Sequence, residues 1–152
     1  MILADTNVLL DVLAKREPFY PAAAAVWSAV ESAKIAGCVS AISFNNTYYI
    51  IRRYGSEETA RSAISAIRDV FAVVPLDAQI LNQSIDSSLS DFEDAIQLHS
   101  AVRAGARYLI TRNPAGFVTD ALPVLSPDEY LAVLEVTGGS APASDINEGS
   151  TT

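Results

Sequence analysis

Short apolar segments alternate with amphipathic helices along most of this chain, and that alternation constrains the fold more than any other feature. Five segments are typical of buried strands, because each is brief and apolar and ends at turn or helix-start residues. They lie near residues 2–5, 38–42, 72–74, 107–110 and 124–125. Helices between strands imply crossover connections and parallel pairing. We therefore predict an α/β fold, a three-layer α/β/α sandwich around a mainly parallel five-stranded sheet.

Capping residues mark where several of the helices begin or end. Ser90–Glu93 matches a capping box, which predicts Ser90 as the N-cap and Asp91 at the first helical position. Ser126–Glu129 matches a second capping box with a proline at the first helical position. Gly105 is well placed to end the helix that begins near residue 91, in a left-handed conformation.

The composition predicts a single domain over residues 1–136. The segment 137–152 consists mainly of Gly, Ser, Pro, Thr and other small polar residues, and we expect a flexible tail there. No apolar run approaches the roughly 20 residues that span a bilayer. No basic segment precedes an apolar stretch at the start, and the single cysteine, Cys38, is expected to be buried. These features predict a cytoplasmic protein with no membrane partner.

The net charge of −8 argues against a protein that binds nucleic acid through a general basic field. Seven of the ten basic residues form loose groups at residues 15–16, 52–53 and 103–112. These groups fit either a local basic rim around an acidic site or the solvated ends of helices, where cations are favourable.

Asp5 lies where the first strand ends and the first helix begins. In open α/β sheets, ligands bind outside the carboxyl ends of the strands, so a carboxylate at this place is a candidate functional group. Aspartate is also a preferred N-cap residue. The segment alone is compatible with both roles.

A second acidic segment, Asp91-Phe92-Glu93-Asp94, opens a later helix. Asp91 and Asp94 are three residues apart and lie on one face of that helix. Glu93 is assigned to the capping box, and the helix dipole alone could explain Asp91. Asp94 is followed by an apolar helix, where a carboxylate is unfavourable unless it is paired or bound to metal, so we expect it to serve a site.

Carboxylates without nearby His or Cys suit a hard divalent cation, either Mg²⁺ or Mn²⁺. Such a cation can activate water for attack on a phosphodiester. Zinc is disfavoured because the chain has one His and one Cys. Signatures of nucleotide binding and of acyl transfer through a serine nucleophile are missing from the sequence.

Three segments, in this order, resemble motifs of the PIN-domain family. They are residues 5–7 (DTN), residues 91–97 (DFEDAIQ) and residues 110–117 (ITRNPAGF). The resemblance extends from residue 1 to about residue 134. It implies a small α/β sandwich around a parallel sheet and the metal-dependent ribonuclease activity of the family's best-known members, which include the VapC-type toxins of bacterial toxin–antitoxin pairs.

The resemblance also implies roles for individual residues. Asp5 matches the first metal-binding acid of the family and Asp94 the third, with Asp91 beside it. Thr6 and Asn7 match positions that support the first acid.

The loop after the fourth strand carries a second set of matches. Thr111 and Asn113 match a polar pair expected to orient water or the scissile phosphate. Arg112 or Arg52 would meet the RNA backbone, because arginine pairs well with phosphate.

Two positions depart from the family pattern. Asn46 stands where the family usually has a glutamate, and it would offer a carbonyl oxygen without a charge. Gly116 stands at the usual fourth acid and offers no ligand. Affinity for a divalent cation should be lower when fewer charged ligands surround it. The two departures therefore predict a weak single-cation site and not a two-metal site.

The leading hypothesis is a Mg²⁺- or Mn²⁺-dependent ribonuclease, the toxin of a type II toxin–antitoxin pair, with catalytic residues Asp5, Asp94, Asp91 and Asn46. Its expected partners are an RNA substrate, an antitoxin and a second copy of the chain. The alternative is a catalytically weak or inactive PIN-like module that acts by binding an antitoxin, RNA or itself. A dehalogenase-like phosphatase ranks low, because Asp5-Thr6-Asn7 lacks the second Asp of that pattern.

Overall fold

A computed structural model describes residues 1–137 of the chain, so the predicted tail beyond Thr137 lies outside the described residues. Five parallel strands form one sheet in the order β3-β2-β1-β4-β5. The strands are β1 (Ile2–Ala4), β2 (Gly37–Ser40), β3 (Ala72–Val74), β4 (Tyr108–Ile110) and β5 (Val124–Leu125). This architecture confirms the predicted α/β fold class.

Seven α-helices occur in the described part of the chain, together with a 3-10 turn at Pro114–Gly116. The helices are α1 (Thr6–Leu13), α2 (Tyr20–Glu31), α3 (Ile42–Tyr54), α4 (Glu57–Val70), α5 (Ala78–Ile85), α6 (Phe92–Arg103) and α7 (Pro127–Val136). Within residues 1–137, no helix combines the length and the apolar character that a membrane span requires.

The sheet separates two hydrophobic cores, because successive side chains of a strand point to opposite faces. Ile2 and Ala4 face a core that α1, α2, α4 and α7 cover. Leu3, between them, faces a second core built with α5 and α6. Burial on both faces explains why the strands are apolar throughout and not alternating.

One predicted helix start is wrong by one residue. The N-cap of α6 is Asp91, whose side chain accepts a hydrogen bond from the backbone N–H of Asp94. Ser90 therefore does not cap this helix, and Glu93 is not its capping-box partner. Ser and Asp are both strong N-caps, and their adjacency left the register of the helix open.

The other predicted boundary signals are confirmed. Ser126 and Glu129 form a complete capping box at the start of α7. Gly105 follows α6 with φ of +68°, the left-handed conformation that glycine adopts without penalty.

Candidate functional site

The site lies at the carboxyl ends of the two central strands, β1 and β4. The chain proceeds from β1 outward through β2 and β3 and then returns to the other side of β1 with β4, so strand order reverses between β1 and β4. Ligands of open α/β sheets bind in the crevice at such a switch point. Asp5 follows β1 here, and its backbone N–H donates to Ile110 of β4 at 2.9 Å.

Asp5 is a buried carboxylate, with 7% of its surface exposed. Its Oδ1 accepts the backbone N–H of Thr6 at 2.7 Å, and its Oδ2 accepts the hydroxyl of Thr111 at 2.8 Å. Burial raises the pKa of Asp5, the two hydrogen bonds oppose that shift, and the charges of Glu93 and Asp91 add to it. Asp5 thus caps α1 through one oxygen, while its other oxygen accepts a hydrogen bond from the loop after β4.

Thr111 connects the two central loops. Its buried hydroxyl donates to Asp5 and accepts the side-chain N–H of Asn7 at 3.2 Å and the backbone N–H of Asn113 at 3.4 Å. Asn7 Oδ1 in turn accepts the backbone N–H of Arg112 at 3.1 Å. The structure therefore brings together Asp5, Asn7 and the loop 111–113, and Thr111 orients the carboxylate of Asp5.

A buried polar cluster, which the sequence analysis missed, supports the start of α1. The hydroxyls of Thr6 and Ser43 lie 2.8 Å apart, and Gln97 Nε2 donates to both, at 3.2 and 3.1 Å. Gln97 is 1% exposed. These bonds tie α1, α3 and α6 together behind Asp5. The sequence held one signal for this cluster, the glutamine on the apolar face of α6. A buried polar side chain requires hydrogen-bond partners, so its position predicts a polar cluster.

Asp91 caps α6, and Asp94 lies in the first turn of that helix. Asp91 Oδ1 accepts the backbone N–H of Asp94 at 2.9 Å. Burial, followed by the charges of Asp91, Asp5 and Glu93, raises the pKa of Asp94 to about 6. Within residues 1–137, the carboxylate of Asp94 has no hydrogen-bond or ion-pair partner. No basic side chain among residues 1–137 forms an ion pair with Asp5 or Asp94.

A side-chain hydrogen bond between Asn46 and Glu93 joins α3 to α6. Asn46 Nδ2 of α3 donates to Glu93 Oε1 of α6 at 3.0 Å. As a capping-box partner, Glu93 would bond to the backbone of its own helix and face away from the site. Because Asp91 caps the helix instead, Glu93 moves to the second helical position, and its side chain reaches α3.

Gly116 faces the carboxylate of Asp94. A Cβ atom built on Gly116 would lie 3.7 Å from Asp94 Oδ2, which is ordinary van der Waals contact. A side chain at position 116 would therefore begin next to the acidic group. Within residues 1–137, no group of three or more acidic, His or Cys side chains is arranged closely enough to hold a metal ion by direct ligation.

The guanidinium of Arg112 is engaged by the protein itself. Its Nε donates to Asp11 Oδ2 at 2.9 Å, Nη2 donates to Asp11 Oδ1, and the group lies 4.3 Å from the centre of the Phe19 ring. Asp11 is 1% exposed and needs this charge, because an unpaired buried carboxylate is strongly unfavourable. The pair anchors the loop that carries Thr111 and Asn113 to α1.

Arg112→Ala is expected to destabilise the protein by about 3 kcal/mol, since it leaves Asp11 buried without a counter-charge. Urea denaturation at pH 7.5 measures the loss. Arg103→Ala is the matched control, because the Asp77 that Arg103 pairs with is far more exposed than Asp11, and its removal should cost much less. Equal losses in the two variants would contradict a structural role for the Asp11–Arg112 pair.

Comparison with known protein families identifies one match. The family model of the PIN domain matches residues 1–115. No curated protein sequence matches the chain.

Solved structures with a similar fold include toxins and toxin–antitoxin assemblies. A toxin–antitoxin complex from Klebsiella pneumoniae is 24% identical with a TM-score of 0.62, covering 84% of this chain and 98% of that one. DNA-bound VapBC from Salmonella typhimurium is 16% identical with a TM-score of 0.65, covering 83% and 97%. VapC20 of Mycobacterium tuberculosis, described as a sarcin-ricin loop cleaving toxin, is 19% identical with a TM-score of 0.59, covering 72% and 87%. At these identities the likeness establishes the fold.

Proposed function

Because the chain belongs to the PIN-domain family, we propose that it is a divalent-cation-dependent ribonuclease and the toxin of a toxin–antitoxin pair. The observation that carries the proposal is the buried carboxylate of Asp5 at the switch point of the sheet, which accepts a hydrogen bond from Thr111 of the loop after β4. The charge of Asp5 raises the pKa of Asp94, and no basic side chain within residues 1–137 bonds to either carboxylate. A cation is the partner whose chemistry fits such a pair.

The donor atoms of the crevice suit Mg²⁺ or Mn²⁺. Each oxygen of Asp5 accepts one hydrogen bond and keeps a further lone pair, and the carboxylate of Asp94 accepts none among the described residues. Mg²⁺ is commonly held by one or two carboxylates and retains several waters. Asp5 and Asp94 would therefore hold a single cation weakly, and Asp91, whose Oδ1 caps α6, would assist through its charge.

When bound, a divalent cation lowers the pKa of a water molecule and offsets the charge that develops on a phosphodiester undergoing hydrolysis. The side chains of this protein do the positioning. Thr111 fixes the orientation of Asp5, and Asn113, exposed beside it, would contact the phosphate or a base of the RNA. Arg112 would offer RNA only the N–H groups that Asp11 leaves unused, whereas Arg52 is exposed at the end of α3.

Two protein partners belong to the same proposal. The Klebsiella and Salmonella assemblies contain toxins together with antitoxins, and we propose an antitoxin partner for this chain by extension. A second copy of the chain is proposed on the family resemblance. Co-expression with the product of a small adjacent open reading frame, followed by size-exclusion chromatography, tests both partners.

A second candidate function is a PIN-like module that acts by binding and cleaves RNA feebly or not at all. It is favoured by the lack, within the described residues, of three side chains placed for direct metal ligation. Calorimetric titration with Mn²⁺ separates the two functions. No binding heat at millimolar Mn²⁺, together with activity that is insensitive to chelators, would favour the binding module.

Asp5→Asn is expected to lower the rate of RNA cleavage by more than about 100-fold, the scale set by losing one electrostatic contributor to a transition state. The assay uses purified protein, structured RNAs and Mn²⁺. Asparagine is also a good N-cap, so the variant should keep the start of α1 and remain folded. Asp69→Asn, at an exposed position on α4, is the control and should cleave at the wild-type rate. An Asp5→Asn protein that retains full activity would overturn the proposal.

A further inference from the structure

We propose that Gln97 is a positioning residue, which holds the carboxylate of Asp5 in its orientation through Thr6. The inference rests on the proposed function and deepens it, because it names a buried side chain on which the alignment of Asp5 depends. Gln97 forms no hydrogen bond with Asp5 itself. Among residues 1–137, its hydrogen bonds go to Thr6 and Ser43.

Two hydrogen bonds fix the carboxylate of Asp5, one at each oxygen. The hydroxyl of Thr111 donates to Oδ2 at 2.8 Å, and the backbone N–H of Thr6 donates to Oδ1 at 2.7 Å. The N–H of Thr6 belongs to the first turn of α1, where backbone donors have no partner within the helix. Its direction therefore depends on how the start of α1 is held.

The side chain of Thr6 is the point at which the start of α1 is held. Its hydroxyl lies 2.8 Å from the hydroxyl of Ser43 on α3, and Gln97 Nε2 of α6 donates to both. All three side chains are buried. Because a glutamine amide carries two N–H groups in one plane, it can bond both hydroxyls at once and fix Thr6 relative to two other helices.

The opposite end of the Gln97 amide argues against a purely structural role. Its Oε1 is buried and has no hydrogen-bond partner among residues 1–137. A buried acceptor without a partner is unfavourable, and an apolar side chain of similar size would fill the same volume without that cost. What glutamine adds at this position is its pair of N–H groups, and these act on Thr6 and Ser43.

Gln97→Met removes the two N–H groups and keeps the approximate length of the side chain. The hydroxyls of Thr6 and Ser43 still pair with each other, so the variant should remain folded. Ser100→Ala is the matched control, because Ser100 is a buried polar residue of the same helix whose hydroxyl has no partner in the described part of the chain. Thermal unfolding of each variant confirms that it is folded.

The first measurement is hydrogen exchange of the Thr6 amide, followed by NMR in the cation-free full chain. We expect exchange to be about tenfold faster in Gln97→Met, the scale of one lost hydrogen bond, and to change less than about twofold in Ser100→Ala. An unchanged rate in Gln97→Met would overturn the inference, whether or not the protein cleaves RNA.

The second measurement separates positioning from a structural tie between helices. With structured RNA and Mn²⁺, kcat of Gln97→Met should fall about tenfold while KM stays within about twofold, because a misaligned acid weakens the transition state without changing how RNA is bound. Faster exchange at Thr6 with an unchanged kcat would overturn the positioning role. If the wild-type chain cleaves no RNA, the proposed function fails, whereas the exchange of Thr6 still decides whether Gln97 holds the residue next to Asp5.

A double-mutant cycle tests whether Gln97 acts through Thr6. Thr6→Val removes the hydroxyl and keeps the shape of the side chain. Gln97→Met should lower kcat in the wild-type background and have little effect in the Thr6→Val background, because the hydroxyl that connects Gln97 to α1 is then missing. Equal losses in the two backgrounds would overturn the proposed route through Thr6.

Discussion

Asp94→Asn is expected to stop RNA cleavage and, in cation-free protein, to make the fold more stable. The carboxylate of Asp94 is costly to ionise in the folded state, because burial and then the charges of Asp91, Asp5 and Glu93 raise its pKa from 3.8 to about 6. An acid whose pKa is higher in the folded state than in the unfolded state reduces stability at any pH where the unfolded chain is ionised. The variant should therefore lose a functional group and gain free energy of unfolding.

The difference in stability between wild type and Asp94→Asn should depend on pH. Below about pH 4 the group is protonated in both states, so wild type and variant should be equally stable. The penalty grows as the pH rises from about 4 to 6 and then levels off. One pKa unit corresponds to about 1.4 kcal/mol, but Asp94 is only partly buried and the helix dipole favours its charge, so we expect about 1 kcal/mol at pH 7.5.

Urea denaturation in the presence of a chelator, at pH 3.5 and at pH 7.5, measures the difference. Asp69→Asn serves as the control, since its exposed carboxylate lies outside the site. A wild-type protein more stable than Asp94→Asn at pH 7.5 without cation would contradict the repulsion on which the site depends. Cleavage by Asp94→Asn at the wild-type rate would contradict its catalytic role.

Gly116→Asp is expected to strengthen the cation site. A Cβ at this position lies 3.7 Å from Asp94 Oδ2 and meets no backbone atom, so an aspartate side chain would start beside Asp94 without a clash at its Cβ. Affinity for divalent cations rises with the number of charged ligands. We expect Mn²⁺ affinity to increase about tenfold or more and RNA cleavage at limiting Mn²⁺ to become faster.

The same substitution should destabilise the cation-free protein, because a further negative charge beside Asp94 is unfavourable. Gly116→Asn is the matched control, since it has the same size without the charge. Calorimetry with Mn²⁺ and urea denaturation in chelator report the two opposite effects. Identical behaviour of the Asp and Asn variants would mean that the side chain at position 116 points away from Asp94.

Much of the fold was predictable because it depends on local patterns. The five strand positions follow from short apolar segments between amphipathic helices, and the boundaries at Gly105 and Ser126 follow from residues with strong conformational preferences. The position of Asp5 directly after β1 was also predictable, and the end of a central parallel strand is a ligand-binding position in this class of sheet. The hydrogen bond between Asp5 and Thr111 could not be predicted from local patterns, since it joins residues 106 positions apart.

The wrong N-cap predicted for α6 shows the limit of what neighbouring residues in the sequence can determine. Ser90 and Asp91 are equally good N-caps, and in the folded chain Asp91 caps α6. That choice decides whether Glu93 folds back onto its own helix or reaches Asn46 on α3. The engagement of Arg112 by Asp11 was hidden for the same reason, because its partner lies on the first helix.

Residue types and their order were sufficient to determine the layers of this protein, the strand ends that carry acidic groups and the family to which it belongs. Only the tertiary structure decided which of those acids are buried, which are engaged by a neighbour and which have no counter-charge within the described part of the chain. The physical reason is that periodicity and capping act within a few residues, whereas burial and Coulomb interactions depend on distances in space. The electrostatics of the crevice arise from segments that meet only when the sheet assembles.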